Sequence, residues 1–180
     1  MSLKELTQPQ HKMAEETPFM KSIFAGTMPI DLWADYTYNK VLWYGAIETM
    51  ARSRGLLDDL PDIERTHKLY LDYKAMTNDN FKHNYRQAAI DYHNYLLRLD
   101  ATDRVMAHLY TWHMGDLFGG QMIKRLVPGP HNSLEFKDAD ILKTAIRAKL
   151  NDEMVAEVIE AFNWSIKIMN EYNSLLPVDQ

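Results

Sequence analysis

The 180-residue sequence contains no cysteine, which excludes disulfide bonds, zinc–thiolate sites, iron–sulfur clusters and a thiol nucleophile. Glycine and proline are scarce, with seven of each, whereas a two-sheet β fold usually needs more of them for its turns. No run approaches the roughly 18 apolar residues of a transmembrane helix, and no apolar signal core follows the N-terminus. We therefore expect a cytoplasmic protein without a membrane span or anchor.

The charge balance argues against another class of function. Lysine and arginine total 20 against 25 aspartate and glutamate residues, which leaves a net charge of −5, and a general nucleic-acid binder is usually basic. Hydrophobic residues make up 46% of the chain and charged residues 25%, as in an ordinary globular protein. The whole chain, 1–180, is predicted to form one domain that binds no nucleic acid.

Apolar periodicity and helix-capping residues predict helices throughout the chain. The first helix is expected to start near Thr7, because Pro9 is tolerated in a first turn but interrupts a longer helix. Later helices are predicted over 17–26, 27–55, 59–75, 79–99, 102–126, 138–150 and 154–169. No internal repeat and no alternating strand pattern is present. The predicted fold is an all-α, single-domain bundle.

One predicted helix contains three glycines that oppose helix formation. Gly115, Gly119 and Gly120 each cost about 1 kcal/mol relative to alanine in a helix interior. Gly115 and Gly119 share a face, where a missing Cβ lets a flat molecule or a neighbouring helix approach the backbone. The cluster also permits a kink. Close helix packing is the commoner reason for such a pair, so the spacing alone leaves both interpretations open.

Three further groups of residues are candidates for a binding site. Asp116 follows Gly115 in the most apolar stretch, where a carboxylate can organise water or relay protons, although most aspartates are solvated surface charges. His11 and Glu15 are four residues apart, a spacing typical of a metal-binding histidine and its carboxylate partner but also of surface pairs. Lys143 and Arg147 have the same spacing. They either pair with a ligand's carboxylates or interact favourably with the helix dipole near the C-terminus of their helix.

These groups occur together in an order that is specific. QHKMAE at 10–15 precedes Phe19-Met20, HLYT stands at 108–111 and GDLFGGQ at 115–121. Tyr44 and Glu48 lie between Phe19-Met20 and the HLYT string, and Lys143 and Arg147 follow the GDLFGGQ string. On these residues, over about 4–151, the sequence resembles the biliverdin-forming heme oxygenases. The resemblance implies a bundle that holds heme between a proximal helix and a kinked, glycine-rich distal helix.

The resemblance also implies a role for each matched residue. His11 is the proximal ligand of the heme iron, and Glu15 is its hydrogen-bond partner. Asp116 anchors a distal water network that delivers protons, with Tyr44 as a member of that network. The resemblance implies further heme contacts from the distal glycine backbone, from propionate-pairing cations and from flanking residues, namely Gly115, Gly119, Gly120, Lys4, Lys143, Arg147, Tyr110 and Phe162.

The implied reaction uses heme b as both substrate and cofactor, with dioxygen as co-substrate and no other metal. The implied products are biliverdin, commonly the IXα isomer, carbon monoxide and ferrous iron. Ferredoxin or a similar protein is the implied electron donor, and a bilin reductase is a possible consumer of the product. We expect no long membrane tail after the last helix, and in this the chain resembles the soluble microbial, algal and cyanobacterial enzymes.

The sequence departs from the family pattern in two places. Pro9 lies two residues before His11, where the family's helix is commonly uninterrupted, so Lys4 is expected to fall off the face that carries His11. Trp112 stands where some relatives carry arginine, and His113 follows it. Five cations near the presumed heme-bearing helices form a predicted docking patch for an acidic electron donor: Lys12, Lys21, Lys124, Arg125 and Lys149.

The sequence gives less support to three alternative functions. A di-iron site would use Glu64, His67, Asp79 and His83, but the sequence lacks the second Glu-x-x-His that such sites carry. A heme carrier or sensor would need neither Asp116 nor the glycine pair. A thiaminase-like hydrolase would normally use a cysteine nucleophile, which this chain does not have.

Overall fold

The computed structural model describes residues 2–177, and in that range the protein is helical without a β-strand. The nine α-helices of these residues are α1 (Leu3–Glu15), α2 (Pro18–Phe24), α3 (Ile30–Arg52), α4 (Thr66–Met76), α5 (Gln87–Leu96), α6 (Thr102–Leu109), α7 (Gly115–Ile123), α8 (Ala139–Ala148) and α9 (Val155–Asn173). None of them is long and apolar enough to cross a membrane. The predicted all-α bundle is therefore confirmed.

Helix α3 is the centre of the bundle. It packs against α4, α5 and α6, while α9 packs against α1, α2, α5 and α6. Large aromatic side chains fill the space between these helices, with the rings of Trp43 and Trp112 centred 5.1 Å apart. The indole Nε1 of Trp112 donates a hydrogen bond to the Tyr92 hydroxyl at 2.8 Å. Trp112 is thus a core residue, and its polar atom is satisfied inside the protein.

The first helix begins earlier than predicted. Ser2 and Glu5 form a capping box, in which each side chain accepts a hydrogen bond from the other residue's backbone N–H, and this starts the helix at Leu3. Pro9 then lies inside the helix, so the predicted start near Thr7 is wrong. Lys4 and His11 are seven residues apart on one continuous helix, which places them on nearly the same face. The expected separation of Lys4 from that face is therefore also wrong.

The helices α4 and α5 begin later than predicted, because side chains elsewhere bind the backbone before them. The chain approaching α4 is held at Arg65, whose backbone N–H donates to Glu48 Oε1 at 2.5 Å. The chain approaching α5 is held by the α3 residue Asn39, whose Nδ2 donates to the Asn84 carbonyl and whose Oδ1 accepts from the Arg86 N–H, both at 2.8 Å. These bonds replace the helical ones that the local sequence predicts.

The predicted helix over 102–126 is interrupted before its glycines. Residues Tyr110–Met114 form a π-helical segment between α6 and α7. A π-helical turn adds a residue to the helical circuit and often marks a functional site. The break in regular geometry expected from the glycine cluster therefore lies one turn earlier, and α7 itself is regular from Gly115.

Candidate active site

His11 lies on the exposed side of α1, which the packing of α1 against α9 leaves open. Its Nδ1 is 3.6 Å from Glu15 Oε2, and each side chain is 48% exposed. Its ring and the ring of Phe162 on α9 are nearly perpendicular, with centroids 5.5 Å apart. An imidazole in this position has one nitrogen directed to a carboxylate and the other available as a ligand.

The three distal glycines have different surroundings, which separates the two interpretations left open by their spacing. A Cβ added to Gly115 would meet no neighbouring atom within 4 Å, and one added to Gly119 would meet only Ile123 Cδ1 at 3.8 Å. A Cβ on Gly120 would lie 3.3 Å from Leu134 Cδ2. Gly115 and Gly119 therefore leave open space over the α7 backbone, whereas Gly120 permits close packing.

Exposed apolar side chains occur on α1, which carries His11, and on α7, which carries the glycines. Phe118 and Met122 on α7 are 53% and 51% exposed, and Met13 on α1 is 56% exposed. On α8, the cations of Lys143 and Arg147 lie 4.7 and 5.2 Å from the centre of the Phe118 ring. Apolar surface on α7 is thus adjacent to two positive charges, an arrangement suited to a ligand with an apolar body and acidic groups.

Asp116, the residue after Gly115, is buried and has two partners from α3. The Tyr44 hydroxyl donates a hydrogen bond to Asp116 Oδ2 at 2.5 Å. The Lys40 ammonium lies 3.3 Å from Oδ2 and 3.4 Å from Oδ1. Burial, followed by the negative charge of Asp116 and the hydrogen bond to it, raises the pKa of Tyr44 well above its usual value. Tyr44 is therefore a protonated donor to this carboxylate.

A second buried acid–base pair lies one turn along α3. Glu48 Oε1 is 3.1 Å from His113 Nε2 and also accepts the Arg65 backbone N–H. Burial raises the pKa of Glu48, but the bond and charge of His113, and the hydrogen bonds from Arg65 and Thr66, outweigh it and lower the pKa. His113 is thus bonded to Glu48 in the protein interior.

The remaining predicted ligand-binding residues occupy different environments. Tyr110, in the π-helical segment, is half-buried, and its pKa is raised by burial and lowered in part by the charge of Arg147. Lys4 is exposed on α1. Lys143 also pairs with Asp140 at 3.3 Å. Sequence reasoning missed Lys40, although its position four residues before Tyr44 in a helix rich in buried residues was a usable signal.

The residues of the alternative di-iron site have other partners. Glu64 pairs with Arg52, and His83 Nδ1 is hydrogen-bonded to the Tyr73 hydroxyl at 2.8 Å. Within residues 2–177, no group of three or more histidine, aspartate or glutamate side chains is arranged to hold a metal ion. The structure therefore gives no support to a di-iron centre.

Comparison with known proteins identifies similar sequences and structures. The sequence model described as heme oxygenase matches residues 1–171. Heme oxygenase 1 from Synechocystis is 27% identical over 94% of this chain and 82% of that protein. A heme oxygenase from Pyropia yezoensis is 26% identical over 96% of this chain and 84% of that protein. The crystal structure of Synechocystis heme oxygenase-1 in complex with heme has the same fold, with a TM-score of 0.84 and 22% identity over 96% of this chain and 91% of that one.

Proposed function

Because the chain belongs to the heme oxygenase family, we propose that His11, Asp116 and the open backbone at Gly115 form the site where it performs the family's reaction. That reaction is the oxidative cleavage of heme to biliverdin, with dioxygen as co-substrate and with release of carbon monoxide and ferrous iron. The observation that carries the proposed site is the buried Asp116, which is bonded to Tyr44 and directly follows Gly115, where the backbone faces open space. A heme carrier has no need of this carboxylate.

The residues of the site fit a heme group. His11 offers an exposed imidazole with a carboxylate neighbour, and Gly115 offers a backbone surface that a Cβ would otherwise occupy. Phe118 and Met122 supply apolar contact, and Lys143 and Arg147 supply charges for two propionates. When bound, heme supplies the iron that binds and activates dioxygen.

On the proximal side, His11 would hold the iron. Glu15 Oε2 lies 3.6 Å from His11 Nδ1, and a small movement would let it accept a hydrogen bond from the Nδ1–H, which would fix the tautomer and leave Nε2 as the ligand atom. A neutral imidazole donates less electron density than a thiolate and so favours oxygen–oxygen bond cleavage less. Phe162 limits rotation of the ring through its edge contact.

On the distal side, the chain would manage protons near the porphyrin. Gly115 and Gly119 would allow heme to lie close to the α7 backbone, since neither carries a side chain. Asp116 accepts hydrogen bonds and can orient water, while Tyr44 holds one of its oxygens. Gly120 acts by packing α7 against Leu134 and so supports this backbone.

The propionates would be paired by cations on two helices. Lys143 and Arg147 extend from α8 over α7, and Lys4 lies two turns before His11 on its face of α1. Tyr110 lies near Arg147 and would complete this edge of the site. These cations would hold the propionates and so fix the rotational position of the heme, and the IXα isomer is the expected product.

Electrons would come from ferredoxin or a similar acidic protein. Among the five patch cations, Lys12, Lys124 and Lys149 pair with Glu16, Glu135 and Asp59. Among the described residues, Lys21 and Arg125 have no ion-pair partner. The ends of α2 and α7 meet, since a Cβ on Gly26 would lie 3.9 Å from the Leu126 carbonyl. These two cations would therefore form the centre of the docking patch; a cytoplasmic location and a bilin reductase remain predictions.

The test begins with a visible spectrum of the protein with one equivalent of hemin, followed during addition of ferredoxin, its reductase and NADPH. We expect a Soret band that disappears as a broad red biliverdin absorption grows. His11→Ala should weaken the Soret band and abolish most of the turnover. Added imidazole should restore both in part. A Soret band that persists in the wild-type protein would indicate a carrier, and full activity of His11→Ala would remove His11 from the site.

A further inference from the structure

We propose that Lys40 is a positioning residue for heme cleavage, because its buried ammonium supplies the counter-charge of Asp116 and determines which carboxylate oxygen stays available. This inference rests on the proposed function of Asp116. It concerns a residue on α3 that would act only through Asp116 and would not itself touch the reacting atoms.

The ion pair of Lys40 and Asp116 is among the most deeply buried in the described chain. The two side chains are 7% and 11% exposed, and the pair joins α3 to α7. The ammonium also lies 4.8 Å from the centre of the Tyr44 ring. A charge is rarely retained in such a place without a partner, because burial removes its hydration.

The contacts of Asp116 are divided unequally between its oxygens. Oδ2 accepts the Tyr44 hydroxyl at 2.5 Å and also contacts Lys40 at 3.3 Å. Within residues 2–177, the hydrogen-bond partner of Oδ1 is Lys40 alone, at 3.4 Å. An ionised carboxylate oxygen accepts about two hydrogen bonds. Oδ1 is therefore the oxygen that keeps capacity for a water molecule.

The other charges near Asp116 are already engaged. Glu48 is bonded to His113, and the Arg65 guanidinium donates to the Ile63 and Glu135 carbonyls at 3.1 and 2.7 Å. Tyr36 and Tyr44 are neutral phenols whose pKa values are raised, by burial first and by the charge of Asp116 second. Among the residues described, Lys40 is the one cation in direct contact with Asp116.

Lys40 also lines a small cavity on its α4 side. The cavity is bounded by Thr37, Asp72 and His131, among other residues. An ammonium has three N–H donors, and the two bonds to Asp116 leave one for this polar cavity. Lys40 can therefore donate one hydrogen bond into this cavity while it keeps both contacts with Asp116.

Loss of the cation would change the chemistry at Asp116 and leave the heme contacts in place. A buried carboxylate without a counter-charge tends to take up a proton, and it then donates from one oxygen where it previously accepted. Proton delivery from Asp116 would then be impaired, so more of the donor's electrons would reduce dioxygen to hydrogen peroxide, with two electrons and two protons for each molecule, and less biliverdin would form. Heme binding depends on other residues and should persist.

The test compares Lys40→Met, Lys40→Gln and Lys40→Arg with the wild-type protein. Lys167→Met is the matched control, since Lys167 forms an exposed ion pair with Asp91. Hemin affinity, biliverdin formed per electron and peroxide released are measured. We expect affinity within about twofold, biliverdin per electron lowered about tenfold or more in the Met and Gln variants, and at least half of the yield recovered by Arg.

A second readout uses the protein without heme. Unfolding temperatures of Lys40→Met, Asp116→Asn and the double variant form a double-mutant cycle, and we expect the double variant to lose less than the sum of the single losses. If Lys40→Met does not fold, Lys40→Gln replaces it in both experiments.

The outcomes distinguish the inference from the proposed function. A wild-type protein that makes no biliverdin overturns both. A wild-type protein that makes biliverdin, beside neutral Lys40 variants with unchanged yield, overturns the role of Lys40 alone. A loss of yield that Arg does not restore, with additive unfolding losses in the cycle, shows a purely structural role and also overturns it.

Discussion

The Tyr44 hydroxyl and the Asp116 carboxylate connect α3 to α7 through a 2.5 Å hydrogen bond in the interior of the bundle. The same hydroxyl lies 3.3 Å from the Trp112 carbonyl in the π-helical segment. Tyr44 therefore contacts both the π-helical segment and the carboxylate that follows it, and the shorter distance directs its single hydroxyl proton to Asp116. The position of Asp116 relative to the open glycine surface depends on this contact.

Tyr44→Phe should lower the biliverdin yield without loss of heme. The variant removes one hydrogen bond to Asp116 and lowers the free energy of unfolding by about 1–2 kcal/mol. Denaturant unfolding, hemin titration and biliverdin yield measure the three effects. Tyr85→Phe is the control, since its hydroxyl bonds to Tyr38 at the surface. An unchanged yield in Tyr44→Phe would exclude Tyr44 from the distal network.

Alanine at Gly115 and at Gly120 should have opposite consequences. Gly115→Ala meets no neighbour, so helix propensity should stabilise the free protein by up to about 1 kcal/mol, while the new methyl group obstructs heme. Gly120→Ala presses on Leu134 and should be less stable than Gly115→Ala by about 1–2 kcal/mol. Thermal unfolding and hemin affinity check both. Equal hemin affinity for Gly115→Ala and wild type would contradict the distal role of Gly115.

Glu157 should make the protein sensitive to acid. Burial raises the pKa of Glu157, but hydrogen bonds from His108, Arg104 and Tyr95 outweigh it and lower the pKa from 4.5 to about 2. A carboxyl group with a lowered folded-state pKa stabilises the fold above its ordinary pKa and loses this contribution as the pH falls towards the folded value. We expect Tm to fall between about pH 5 and about pH 2.

The control for this acid sensitivity lies close by in the chain. Glu157→Gln should have a lower Tm at neutral pH and a shallower fall in acid, because the carboxylate is absent at every pH. Glu153→Gln, at an exposed position just before α9, should behave as the wild-type protein does. Parallel Tm–pH curves for wild type and Glu157→Gln would show that another group controls the acid response.

Charge reversal in the docking patch should weaken the electron donor's binding at low salt. Lys21→Glu and Arg125→Glu should each raise the KM for ferredoxin several-fold, by roughly 1 kcal/mol of lost attraction, with kcat little changed. The effect should diminish as added salt screens the charges. Lys167→Glu is a control outside the five patch cations, since Lys167 forms an exposed ion pair with Asp91 on α5. Unchanged ferredoxin-supported turnover at low salt would show that the donor binds elsewhere.

The helices with clear local signals were predicted from the sequence. The signals that predicted α2 and α9 are local: Pro18 stands in the first turn of α2, and an apolar stripe runs along α9. Both helices are found where expected. The resemblance to heme oxygenases was equally local, since it rests on short strings around His11 and Asp116, and the family is confirmed. The roles of the individual site residues stay predictions.

Errors arose where distant side chains act on the backbone. The starts of α4 and α5 were placed too early because Glu48 and Asn39, on α3, bind the backbone at Arg65 and Arg86. No pattern near those residues records such bonds. The start of α1 was misjudged for a local reason, because the capping box at Ser2 outweighed the cost of Pro9 within the helix.

The sequence by itself determined that the chain is helical, that it has no thiol chemistry and that its histidine, glycine and aspartate strings are those of a heme oxygenase. The first two properties follow from apolar periodicity and composition, and the third from the resemblance of short strings around His11 and Asp116 to a known family. The tertiary structure decided which glycines face open space and that Lys40, 76 residues before Asp116, is its partner. Apolar periodicity reports which face of a helix is buried, but only the packing of α3 against the distal segment determines which charges meet inside it.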